Sequence, residues 1–299
     1  MNDIETYVRK RFIKKIQKTY SVKVIFVTEC GSRAYGLDSP NSDYDLRFVY
    51  IQKDENVYKD HMVNQKLTTD LSEISKVYQE TITGKYIVTE EKREVEVDWQ
   101  GWDLTKAVKH LHEMNPSICE WIYSSVIYYN NEEYQFLENA QRLVASQKRI
   151  SPLVKHYRAM GRKYYEAYVE GMDVVAIKKY SVFAKCGIMT IWLYKNQGSL
   201  LSHSKDFRID IFGVLSEIKS SLPKKVSTKL NTILEGKKKN AKDWLYTPNR
   251  ITKEYLFNVL FNTDEVYTKL KDLEDYKEES FRKYNKFLRK MLKIFFNET

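Results

Sequence analysis

The stretch that decides the fold runs from Gly31 to Phe48 and reads GSRAYGLDSPNSDYDLRF. An apolar run, Val22-Lys23-Val24-Ile25-Phe26-Val27, leads into it, and a second β-type run, Leu46 to Ile51, follows its last acidic residues. The order is strand, small turn at Gly31-Ser32, polar loop, and a strand opening on Asp43-Tyr44-Asp45. Side chains alternate faces along a strand, so Asp43 and Asp45 point the same way and Tyr44 the other. Two like charges this close repel, and Asp is depleted in strands. Divalent cations relieve both problems. Mg²⁺ takes hard oxygen ligands, one or two carboxylates plus substrate phosphates. A pair of such ions can stabilise the attacking and leaving oxygens of an in-line phosphoryl displacement. Gly31 lets backbone approach a ligand closely, turn N–H groups attract anions, and Ser32 adds a hydroxyl. One loop can therefore hold a triphosphate and the next strand its metals. S-x-D or D-x-D alone is ordinary loop chemistry; the weight lies in the combination.

With 299 residues the chain suits one large or two modest domains. Its 42% hydrophobic content marks it as globular and argues against disorder. No apolar run approaches the length of a membrane span. The start, MNDIETYVRKRF, lacks the apolar core of a signal peptide, so a cytoplasmic location is expected. Cys30, Cys119 and Cys186 lie far apart without a C-x-x-C pair, which argues against zinc and a disulfide framework. A net charge of +10 suits a polyanion such as nucleic acid, and equally a merely Lys-rich proteome.

Residues Ile4 to Tyr20 read as a helix, with Ile4, Val8, Phe12 and Ile16 at helical spacing. A short helix is expected around Arg33 to Leu37, then a break at Pro40. Arg47 shares the face of Asp43 and Asp45; neutralising that acidic edge and touching substrate are equally open roles. Tyr58 to Met62 reads as a substrate-side loop, with His61 at the surface. Lys85 to Val88 and Arg93 to Trp99 read as a hairpin. In the second strand Glu94, Glu96 and Asp98 alternate with Val95, Val97 and Trp99. A half-solvated strand accepts Glu94 and Glu96 but explains Asp98 less well. Asp98 is thus the candidate third carboxylate, as metal ligand or as base for an acceptor hydroxyl, with Glu96 second. Asp103 is expected to cap a helix starting at Leu104. His110 and His112 fall on different faces of that helix and read as structural.

Beyond Asn130-Asn131 the pattern is nearly all helical. The expected fold is α+β: a small mixed-sheet domain over 1–130, then a larger all-helical domain over 131–299, with a ligand between them. Lys178, Lys179, Tyr180 and Lys185 mix cations with an aromatic ring, which suits phosphate contact and base stacking. For each residue singly, a solvated face with Tyr in the core is the plainer reading. Lys237-Lys238-Lys239 with Lys242 reads as a surface run.

An apolar residue, Gly31-Ser32, about ten residues and Asp43-x-Asp45 resembles the signature of the DNA polymerase beta nucleotidyltransferase superfamily. More closely, GSRAYG followed by SDYDLRFVY resembles the RNA-ligase-associated, RNA-repair branch of predicted nucleotidyltransferases. VDWQGWDLTKAVKHLHEMNPSICEWIYS resembles that branch's second block, on Asp98, Gly101, Trp102, Asp103, Leu104, Lys106, Asn115, Pro116, Glu120 and Trp121. The resemblance implies a third carboxylate, for which Asp98 is the match, and an Arg at position 47. It also implies a Lys-Lys-Tyr helix ending in Trp, matched by Lys178, Lys179, Tyr180 and Trp192. Where the family carries Arg this chain has Lys185, which keeps charge but loses bidentate phosphate geometry. The implied activity is Mg²⁺-dependent transfer of an NMP from an NTP, ATP included, to a hydroxyl, with release of pyrophosphate. Asp43, Asp45 and Asp98 would hold two Mg²⁺ ions, and Gly31, Ser32 and Arg33 the outer phosphates. The acceptor expected from family and charge is an RNA 3′ end, tRNA-like. Transfer to a protein side chain, in a toxin–antitoxin or regulatory setting, and a non-catalytic RNA-binding role on the same scaffold stand as alternatives.

Overall fold

Alternation along Tyr44-Asp45-Leu46-Arg47-Phe48 separates an apolar from a charged row, and the strand that forms, Tyr44–Gln52, lies inside a five-stranded sheet. The computed structural model describes residues 3–39, 42–58, 80–90, 93–147, 150–196, 209–239, 244–262 and 278–297. Contacts divide the chain into two compact units: Met1–Cys30, Asp43–Gln147 and Tyr276–Thr299 in the first, Gly31–Ser42 and Lys148–Asp275 in the second.

The sheet of the first unit comprises β1 (Val22–Glu29), β2 (Tyr44–Gln52), β3 (Thr81–Glu90), β4 (Arg93–Asp103) and β5 (Ile127–Asn130), in the order β3-β4-β2-β1-β5. It is mixed: β2 runs parallel to β4, and the other neighbours pair antiparallel. One face is covered by the N-terminal helix α1, which runs from Asp3–Tyr7 through a π turn at Val8–Phe12 into Ile13–Tyr20. A strict four-residue apolar repeat drifts around an α-helix by about 40° per step. The wider π turn takes up that drift, so Ile4, Val8, Phe12, Ile13 and Ile16 all face Val24, Leu46, Phe48, Val97 and Trp99. Phe12 meets Phe48 edge-on at 5.5 Å between ring centroids. A side chain of this size, wholly buried, contributes about 1.5–3 kcal/mol.

The opposite face is packed by α3 (Leu104–His112), which lies on β2 and β4, with α4 (Pro116–Ile122) against β1. Further along, α5 (Phe136–Gln147) sets Phe136 against Phe26 at 5.5 Å. Phe287, on the last helix Glu278–Asn297, packs on Phe136 at 5.9 Å. Asp103 caps α3 as its position predicts: its Oδ1 accepts from Thr105 N at 2.8 Å, and Tyr58 donates its hydroxyl to Oδ2.

In the second unit α6 (Ser151–Tyr168) packs along α7 (Ile177–Asn196), the central helix, whose Ile177, Tyr180, Phe183, Ala184, Ile188 and Trp192 are buried. Three more helices, α8 (Ile211–Ile218), α9 (Lys224–Lys239) and α10 (Arg250–Phe261), surround it. This half is not purely helical, because β6 (Val175–Ala176) pairs with β7 (Leu245–Tyr246). The loop Gly31–Ser42 belongs here. Tyr35 and Tyr157 share a hydroxyl hydrogen bond of 3.0 Å, and Lys237 Nζ donates to Leu37 O at 3.2 Å. The units therefore cut the chain elsewhere than at residue 130. Apolar contacts of α5 and the last helix tie both to the sheet, and Tyr35 ties the 31–42 loop to the helices.

Gly101 of β4 faces the Phe48 ring, and a Cβ there would lie 2.2 Å from it. Gly101→Ala is expected to destabilise the fold by about 1–3 kcal/mol, measured by urea denaturation, because the Phe48 ring, packed against Phe12 and Trp99, must shift to make room.

Candidate active site

Register brings the acidic residues together. In the parallel β2–β4 pair Asp45 stands opposite Asp98, and in the antiparallel β3–β4 pair Lys85 stands opposite Asp98. One row across three strands thus reads Lys85, Asp98, Asp45, on the sheet face away from α1. The Asp45 and Asp98 side chains are 35% and 39% exposed, open enough to meet a ligand. Asp43 precedes β2 by one residue, half-buried, within electrostatic reach of Lys85.

Arg47 lies between the two carboxylates. Its Nη2 is 3.4 Å from Asp45 Oδ1 and its Nη1 3.7 Å from Asp98 Oδ1, while Nη1 also donates to Leu46 O at 2.9 Å. These contacts place its positive charge on the acidic edge. Lys85, which sequence reasoning took only as strand, bonds Glu96 Oε1 at 2.6 Å and stands 3.8 Å from Asp98 Oδ2. Its pKa is raised, first by the Glu96 hydrogen bond and charge, then by Asp98 and Asp43. Glu96 thereby serves as the lysine's partner. Glu94's side chain lies outside the described residues.

Among the described residues no three His, Cys, Asp or Glu side chains converge into a ready-made metal cage. Two partly exposed carboxylates side by side, with a third just before them, still fit a hard divalent cation. Mg²⁺ commonly takes only one or two protein carboxylates and completes its shell with phosphates and water.

Glu29, at the end of β1, is the residue the sequence did not reveal. It is fully buried, and its Oε1 accepts from Asp45 N at 2.6 Å. Its one visible signal was an acid closing an otherwise apolar strand. The neighbouring Cys30 thiol is pushed well up by burial first and then by the Glu120 charge, with Glu29 and Asp45 adding to it against Arg47.

The other predicted residues belong to the second unit. Gly31 has φ +65°, the left-handed backbone a glycine turn requires, and opens the one-turn helix Gly31–Ala34. Ser32 is half-buried, and its carbonyl accepts from Leu37 N at 2.8 Å. Arg33 donates to Ser42 O at 2.7 Å and lies 3.8 Å from Asp38. Lys185 sits 3.9 Å above the Tyr35 ring, and Lys179 4.4 Å above that of Tyr168; Lys178 is exposed. Tyr180 is a correction. It is 0% exposed, its ring packed between Phe183 and Tyr246, because α7 is apolar on nearly every side. It forms helical core and offers no stacking face. Tyr58, first residue of the expected substrate-side loop, is likewise buried; Lys59 to Met62, His61 included, and Lys242 lie outside the described residues. His112 packs edge-on against Tyr284, and His110 bonds Glu113, as structural histidines do.

A mixed sheet that opens one strand on Asp-x-Asp and sets a further carboxylate beside it on the parallel neighbour defines a polymerase-beta-type nucleotidyltransferase domain. The chain belongs to the RNA repair pathway DNA polymerase beta family, RlaP, whose profile matches residues 7–290. It is also 29% identical over 187 residues to "Uncharacterized protein YcgL" of Bacillus subtilis (strain 168), an alignment spanning 62% of this chain and 61% of that protein. Among the described residues no helix is long and apolar enough to cross a membrane.

Two outcomes are expected. The Tyr180 hydroxyl is buried with no hydrogen-bond partner among the described residues, so Tyr180→Phe should be neutral or stabilising by up to about 1 kcal/mol in thermal melts, with nucleotide affinity unchanged. Cys30, Cys119 and Cys186 are all buried, and desolvation pushes the Cys119 thiol up to about 12. A thiol reagent at pH 8 should therefore label none of the three in the native protein and all of them after unfolding.

Proposed function

We propose that this protein transfers a nucleoside monophosphate from an NTP to the 3′ hydroxyl of an RNA. The observation that carries the reading is the β2–β4 register, which sets Asp45 beside Asp98 at an open part of the sheet with Asp43 next to them. Asp43, Asp45 and Asp98 would hold divalent ions. When bound, those ions supply charge neutralisation at the phosphates and a lowered pKa at the attacking hydroxyl.

The acceptor oxygen forms its bond to the α-phosphorus as the α–β bridging P–O bond breaks, and pyrophosphate leaves. Asp98 is the carboxylate suited to take the hydroxyl proton. Arg47, already between the two carboxylates, carries a guanidinium that can turn to a phosphate oxygen once cations replace it there. Gly31, Ser32 and Arg33 are assigned to the outer phosphates, supported by the left-handed glycine turn and by family membership. Lys178, Lys179 and Lys185 remain candidates for the nucleotide as cations alone. Catalysis on this scheme is positioning plus electrostatic stabilisation.

The test uses α-³²P-labelled NTPs, Mg²⁺ and total tRNA. Label should appear on RNA, disappear when the RNA 3′ end is oxidised with periodate, and fall at least about a hundredfold in Asp45→Asn or Asp98→Asn. Label on protein would remove the RNA acceptor and keep the chemistry. No transfer from any NTP would remove both.

A further inference from the structure

The main chain of Asp45 is held by a side chain that the reaction scheme does not use. Pairing of β1 with β2 ends at Glu29–Leu46, because β1 stops there and the chain turns away at Gly31. Asp45 directs both its main-chain groups toward β1. Its carbonyl accepts from Cys30 N at 2.8 Å. Its N–H donates to Glu29 Oε1 at 2.6 Å.

Glu29 is built in on every side. Its Oε2 accepts from the Tyr128 hydroxyl at 2.7 Å, its N–H donates to Val126 O at 3.0 Å, and its carbonyl accepts from Ser124 Oγ at 2.7 Å. A fully buried carboxylate is costly unless such partners are supplied. A Glu whose only task was to end a strand could sit in solvent. This one is enclosed at the point where it holds one peptide, that of Asp45.

We propose that Glu29 is the positioning residue of the centre: its carboxylate clamps the Asp45 peptide so that the Asp45 side chain stays beside Asp98, and affinity for a divalent cation depends on that clamp. The proposal rests on the reading of Asp45 as a cation ligand. Arg47 contacts the Asp45 carboxylate, whereas Glu29 holds the Asp45 main chain. Groups that orient a metal ligand typically govern 10–100-fold in metal affinity.

The test measures Mn²⁺ binding by the EPR signal of the free ion, together with amide hydrogen exchange, on the full chain. Glu29→Ala should weaken Mn²⁺ binding at least about tenfold. Exchange at the Asp45 amide should rise while the β3–β4 amides stay protected. Glu29→Gln keeps an acceptor oxygen toward Asp45 N and should return affinity to within about threefold of wild type. Should the alanine variant not fold, Glu29→Asp, which withdraws the carboxylate by one methylene, carries the same expectation. Wild-type Mn²⁺ affinity in Glu29→Ala or Glu29→Asp overturns the proposal, as does loss of protection spread over the whole sheet. A wild-type protein that binds no Mn²⁺ defeats the metal reading by itself, and the Asp45 amide then still decides whether Glu29 is its clamp.

Discussion

Everything in the first unit answers to one electrostatic constraint, the placing of Asp45 and Asp98 side by side on parallel strands. Neighbouring strands lie about 4.8 Å apart. Two carboxylates at about 5 Å repel by about 1 kcal/mol in water and about 3 kcal/mol at the effective dielectric of a protein surface. A fold aiming only at stability would not choose this register. It is offset by Arg47 from the same strand and Lys85 from the edge strand, which bring two positive charges to the two carboxylates.

The parallel pairing behind that register is the least local feature of the molecule. β2 and β4 are separated in sequence by β3, and β4 comes to lie between β2 and β3 in the sheet. Alternation within the Glu94–Trp99 segment indicates which face Asp98 takes. Nothing in that segment says which strand will be its neighbour. The expectation for Asp98 therefore came from matching a chemical need to a residue type that strands avoid. The register gives that match its geometry.

What was legible follows the same division. Short-range rules found the strand ends at Asp43-x-Asp45, the cap at Asp103, the α1 stripe and the Arg47 face, because each depends on residues a few positions apart. Long-range packing decided the rest. Tyr180 lies among lysines and reads as a partner for bases, yet α7 buries nearly every side and takes the ring into its core. Glu29 closes an apolar run and carries no functional signal of its own in the sequence. Its burial depends on Tyr128 and Ser124, about a hundred residues later. The boundary expected at residue 130 marked a change from strand to helix, whereas the units are divided by what the helices pack against. The Phe26–Phe136–Phe287 contacts could not be read from periodicity.

The Gly31–Ser42 segment joins these threads. Its Tyr35, Leu37 and Arg33 make their contacts among themselves and with the helical unit, so the chain leaves the sheet after Cys30 and returns at Asp43. That excursion begins at a left-handed glycine and ends one residue short of the strand that carries Asp45. An antiparallel pair interrupted in this way must leave main-chain groups unpaired at the break, and buried unpaired groups are expensive. The long side chain of Glu29 reaches the group that the departing strand cannot. The excursion of the Gly31–Ser42 segment thus leaves the Asp45 amide to be met by the Glu29 carboxylate, beside one of the two acids that the β2–β4 register sets next to each other.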